Sequence, residues 1–160
     1  MQVDVKGATG GHVPCTGGII HLGEDHLGYP IEFNYYVSLL NDFYSIQIVE
    51  KGCSLHFEKR YAPNSSGTGT KRIIVSPIPG PYQSLFKDVE NYLMANLENP
   101  VFIPFVFDTL QIENFQVSYK DCTEEGCFIS DAFFHKLFNV QFNTEIVGDI
   151  NYKIGALKAI

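Results

Sequence analysis

Tryptophan is absent from the 160-residue chain, methionine occurs twice, and 11 lysines and arginines face 18 aspartates and glutamates. The scarcity of positive charge, with a formal net charge of -7, argues against gripping nucleic acid, because an acidic surface repels phosphate backbones. No basic cluster exceeds the pairs Lys59-Arg60 and Lys71-Arg72. Long apolar runs are also missing. Stretches such as Val101 to Phe107 fall far short of the ~20 residues that cross a bilayer, so no membrane partner is expected. The Met1 end lacks a basic-then-apolar leader, so the chain reads as soluble and unexported, or as a mature fragment. Four cysteines are too sparse for a disulfide scaffold.

What is present fits an ordinary folded domain. Hydrophobic residues make up 45% of the chain, and 13 phenylalanines and 9 tyrosines supply the bulk that tryptophan does not. A chain of this length buries roughly two-thirds of its unfolded surface, enough for one core.

Residues 1–30 contain seven glycines and two prolines, and read as an N-terminal arm or long loop. Residues 31–160 read as a single β-rich domain. Ile31, Phe33 and Tyr35 alternate with polar residues, as do Leu55 and Phe57, which is the period-two pattern of strands with one buried face. Phe43 to Val49 and Cys53 to Tyr61 are expected to form a hairpin through Glu50-Lys51-Gly52, followed by a mobile loop over Ala62 to Thr70 and a strand from Arg72 to Ser76. Between Pro77–Pro81 and Pro100, the spacing of Leu85, Phe86, Val89, Tyr92, Leu93 and Leu97 predicts one long amphipathic helix over about 83–97 with a single core-facing stripe. Strands are expected again around Ile112 to Tyr119, at Val140 and Phe142, and over Ile150 to Ile154. The fold class is α+β, mainly β: an antiparallel β-barrel or sandwich of about eight strands with one helix.

Candidate chemistry is sparse. His12, His21 and His26 lie close together with Glu24 and Asp25, residue types that suit zinc. Their spacing fits no helical zinc motif, and Gly23 and Gly28 deny them a helix, so no metal site is expected. The Gly-rich SSGTGTK stretch leads into a strand rather than a phosphate-binding helix. Neither a nucleophile elbow nor an aspartic-protease turn occurs. No cofactor and no enzymatic activity are expected. Cys122 and Cys127 flank a four-residue connection ending in Gly126, where they could bridge a hairpin as a disulfide or remain buried thiols. The aromatic excess could line a ligand cavity or build an ordinary core.

From Tyr29 to Leu97 the order of elements resembles that of the tube proteins of contractile phage tails and type VI secretion (the haemolysin-coregulated protein). The features are a strand YPIEFNYYVSL, the segment FYSIQIVEKGCSLHFEKRY, the polar loop NSSGTGT, a strand KRIIVS, and the helix SLFKDVENYL. The resemblance implies a non-enzymatic structural subunit that assembles with itself into stacked rings, with sheath or baseplate proteins as partners, in a virion or a cytoplasmic assembly; an extracellular location stays open. An acidic lumen would let DNA pass without sticking. The alternative is a small β-barrel or sandwich binding module for an apolar ligand or glycan.

Overall fold

The computed structural model describes residues 3–4, 15–53, 68–117, 126–134, 140 and 143–159. Nine strands, β1 (Val3–Asp4), β2 (Cys15–Glu24), β3 (Pro30–Ser38), β4 (Phe43–Cys53), β5 (Thr68–Ile74), β6 (Val101–Phe102), β7 (Gln111–Ile112), β8 (Cys127–Phe128) and β9 (Glu145–Val147), and one α-helix, α1 (Gln83–Asn96), are found among these residues. The molecule is α+β and mainly β.

The main sheet runs β1-β2-β3-β4-β5-β9, with β6 on β4, and β7 pairs with β8 apart from it. Among the described residues it is open and mixed, and not closed into the antiparallel barrel that, beside a sandwich, was expected. The parallel pairs β4–β6 and β5–β9 follow from α1 carrying the chain back across the sheet. Four strands form the antiparallel centre, with Ile20 opposite Phe33, Phe33 opposite Ile48, and Ile48 opposite Ile74.

Alternation sorts these strands onto two faces, each with its own core. Ile20, Ile31, Phe33, Ile46, Ile48 and Ile74 meet Phe86 and Leu93 of α1 on one face. On the other, Tyr36, Val49 and Ile73 pack against Phe105 and Phe134 from the C-terminal half. Two cross-strand neighbours on this second face are polar: Asn34 and Gln47, each 1% exposed. Gln47 donates to Ser45 Oγ, while the Asn34 amide has no hydrogen-bond partner among the described residues.

Several expectations change at this point. The glycine-rich segment read as an arm contains β2, whose Ile19 and Ile20 are buried against β3. Glycine serves the sheet there: a Cβ on Gly17 would lie 2.7 Å from the Tyr35 carbonyl oxygen. Glu50-Lys51-Gly52 is not a hairpin turn, because β4 runs through it and pairs with β5, with a bulge absorbed at Lys71. Residues Gly69 and Thr70, read as loop, are part of that ladder. The remainder of the predicted second hairpin strand and loop, 54–67, lies outside the described residues, as do Tyr119 and Phe142.

The helix forms where expected, with Leu97 as its C-cap and its amide bonded to the Leu93 carbonyl. Its buried stripe is Phe86, Glu90 and Leu93, whereas Tyr92 is 66% exposed. Ile150 to Ile154 is not a strand. Asn151 N–H donates to Asp149 Oδ1 at 2.9 Å, Lys153 adopts a left-handed φ of 60°, and a 3-10 helix follows over Ile154–Ala159.

Candidate functional site

The β2–β3–β4 meander ends in two turns that differ sharply in character. The first, between β2 and β3, is built by Asp25: its Oδ1 accepts the amides of Leu27 at 2.8 Å and Tyr29 at 3.0 Å, while Gly28 takes φ 81°. The Tyr29 amide, joined by the Leu27 amide and the Lys71 ammonium, holds the Asp25 carboxyl below the usual carboxylate range. The sequence HLGEDH thus spends its aspartate on an Asx-type turn rather than on a metal.

Of the three candidate metal ligands, His21 lies on β2 opposite Glu32, His26 is exposed on the turn, and His12 lies outside the described residues. Among the described residues no group of three or more His, Cys, Asp or Glu side chains could hold a metal ion. Cys127, in β8, is disulfide-bonded and Cys15 is buried at 3% exposure, while Cys122 lies outside the described residues.

Beside this first turn is a cavity of about 310 Å³ lined by Leu27, Tyr29, Gly52, Gly69, Thr70, Lys71 and Asn143. Gly52 and Gly69 face each other across the β4–β5 ladder, and the Lys71 side chain lies over Gly52, where a Cβ would come within 2.9 Å of it. Lys71 Nζ stands 3.7 Å from Asp25 Oδ2 and is half exposed.

The second turn, between β3 and β4, presents Leu39 and Leu40, 66% and 70% exposed. It is tied down from below. The Leu40 amide donates to Ser38 Oγ at 3.2 Å, the Phe43 amide to the Asn41 carbonyl at 2.7 Å, and Asp42 Oδ2 accepts the Asn99 amide at 2.7 Å. Asp42 and the exposed Glu98 give this end negative charge. The sequence reading weighed the first end only as a metal site and passed over the second. The signal was present in SLLND, an apolar pair where a turn calls for polar residues.

Two further clusters of side chains lie away from these turns. A cavity of about 270 Å³ lies between the start of α1 and the sheet, lined by Pro77, Pro79, Pro81, Tyr82 and Phe86 with Glu50 and Arg72. Arg72 is occupied by Glu145 at 2.8 Å and Glu50 at 3.4 Å, and burial followed by the Glu50 charge pushes the Tyr82 phenol up. Between α1 and the C-terminal segment, Tyr152 O–H donates to Glu90 Oε2 at 3.0 Å, and Lys153 Nζ meets Glu90 Oε1 at 2.9 Å as an ion pair rather than a directed hydrogen bond. Burial, with Glu90 adding, raises Tyr152 to about 12 and Tyr44 further still. This cluster fastens the C-terminal segment to the helix.

Comparison with protein-family models, with curated proteins and with solved structures finds no match. No helix among the described residues is long and apolar enough to cross a membrane. The fold places the chain among mainly β α+β proteins.

Proposed function

We propose that this chain is a non-enzymatic structural subunit that assembles with copies of itself into stacked rings, as its likeness to tail and secretion tube proteins implies. The observation that carries the reading is the pair Leu39 and Leu40, both more than half exposed on a turn whose polar groups hold it in one shape. Exposed apolar groups on an ordered frame mark an association surface, since a fixed backbone leaves only side-chain freedom to be lost on contact. In the tube reading, sheath or baseplate proteins contact the outside and the location is a virion or a cytoplasmic assembly.

A second reading, a binding module for an apolar ligand or glycan, draws on the proline- and tyrosine-lined cavity beside α1. Electron microscopy of the purified chain with its mass by light scattering separates the two. Rings or tubes are expected, and a monomer at every concentration would sink the assembly reading in favour of the binding module.

A further inference from the structure

We infer that the cavity between the start of α1 and the sheet is a sugar site: it takes one neutral pyranose ring, with hydroxyls on Glu50, Arg72 and Gln83 and its carbon face on Tyr82. This narrows the binding-module reading to one of its two ligands and does not depend on self-assembly. Three observations lead to it.

The first is the charge balance at the polar end. Glu50 on β4 and Arg72 on β5 stand opposite each other in the ladder, and both line the cavity. Arg72 Nη1 lies 3.4 Å from Glu50 Oε2, while its Nε donates at 2.8 Å to Glu145, which is 56% exposed and does not line the cavity. Charge is therefore cancelled inside. An anionic ligand would meet the carboxylate, a cationic one the guanidinium, and either would have to break an existing pair. Hydrogen-bonding capacity is not cancelled, because a guanidinium carries several N–H donors, a carboxylate several acceptor positions, and 3.4 Å is an ion pair rather than a short hydrogen bond. A donor beside an acceptor suits neutral groups that do both. Adjacent hydroxyls on one ring fit, the first donating to Glu50 and its neighbour accepting from Arg72. The Gln83 amide adds a further donor and acceptor to the same space.

The second is the wall. Exposed Pro79 and Pro81 and half-buried Tyr82 line the cavity together with buried Phe86. The carbon-bound hydrogens on one face of a pyranose carry slight positive charge, which complements the negative face of an aromatic ring. Burial, then the Glu50 charge, pushes the Tyr82 phenol up, so it keeps its proton and can donate to a sugar oxygen. A wholly apolar ligand would instead strip water from Glu50 and Arg72 and give them no hydrogen bond, at a cost of about 1–3 kcal/mol per group.

The third is size. A cavity of roughly 150 Å³ holds one benzene. In proportion, the 270 Å³ here holds about eleven non-hydrogen atoms, close to one hexose with its hydroxyls. At Gly80, which takes φ 153°, nothing stands where a Cβ would be, so no side chain caps that part of the rim.

The test is saturation-transfer NMR on the full-length chain. The probes are the methyl glycosides of glucose, galactose, mannose and N-acetylglucosamine, with benzamidine, benzoate and toluene as cationic, anionic and apolar controls. At least one glycoside should bind, in the millimolar range expected of a single ring competing with water, and the controls should not. Tyr82→Ala should weaken that binding about tenfold through loss of the stacked face. Gln83→Leu keeps the size of the side chain and leaves the core untouched, so it reads the site even if Tyr82→Ala lowers the melting temperature. It should weaken binding about threefold. Failure of every glycoside to bind overturns the inference, as does a control that binds as tightly as the glycosides. Folded Tyr82→Ala and Gln83→Leu variants that both bind like wild type would place the sugar elsewhere and overturn it too. The self-assembly reading, tested by electron microscopy and light scattering, stands or falls separately.

Discussion

Tyr152 shows how a single side chain can tie stability to pH. Its phenol, pushed up to about 12 by burial and by Glu90, keeps its proton in the folded chain where an unfolded chain would release it from about pH 10. A folded-state value above the unfolded one means stability that is complete below pH 10 and is lost as pH rises through about 12. Tyr152→Phe should therefore flatten the fall in melting temperature between pH 9 and 11. At pH 7 it should lower stability by about 1.5–3 kcal/mol through loss of the hydrogen bond to a carboxylate. An unchanged slope in thermal melts at the two pH values would count against this assignment. The residue was legible as a core position in the sequence, but its partner was not. Glu90 sits at helical spacing between Phe86 and Leu93, and only the folded chain brings Lys153 to it. The same holds for the site: histidines drew the eye to HLGEDH, where the chemistry of the turn resides in the Asp25 carboxylate and backbone amides.

At the scale of elements, α1 shows what periodicity can and cannot tell. Its length and position follow from prolines on both sides and from spacing of three and four. Which edge of the stripe is buried depends on the sheet beneath, and there Phe86 is 1% exposed in edge-on contact with Phe33 while Tyr92 faces out. Phe86→Ala should cost about 3–5 kcal/mol in a urea unfolding series, and Tyr92→Ala under about 0.5 kcal/mol. Comparable losses would mean that the helix docks on a different face. The strand readings failed for a related reason. Alternation of Ile150 and Tyr152 was real, but it arises because one packs with the Phe105 core and the other with the Phe86 core, from a turn between them. Glu50-Lys51-Gly52 has turn-like composition, yet the backbone of Gly69 and Thr70 pairs with it and keeps β4 extended. Pairing across sequence gaps leaves no mark on local pattern.

The described residues form a main sheet with a helix on one face and 3-10 turns on the other, and the small β7–β8 pair apart from it. Its mainly β, one-helix character could be read from the sequence, whereas the openness of the sheet could not. Closure depends on which strands become neighbours, and β9 joins β5 from 73 residues away. Stability should be graded across the sheet accordingly. Strands β3 and β4 are paired on both sides, so their amides should exchange with solvent more slowly than those of β9 by orders of magnitude. Native-state hydrogen exchange checks this, and a protected β9 with an open β3 would contradict the described order. The late arrival of β9 has one more consequence, for a chain still on the ribosome. Until residues 145–147 have emerged, β5 has no neighbour beyond it, and its Ile73 and Ile74 lie along a bare edge. At 5–20 residues per second that interval lasts on the order of several seconds. Nascent copies on one message are then crowded together with matching edges exposed, at the moment when mispairing between them is easiest.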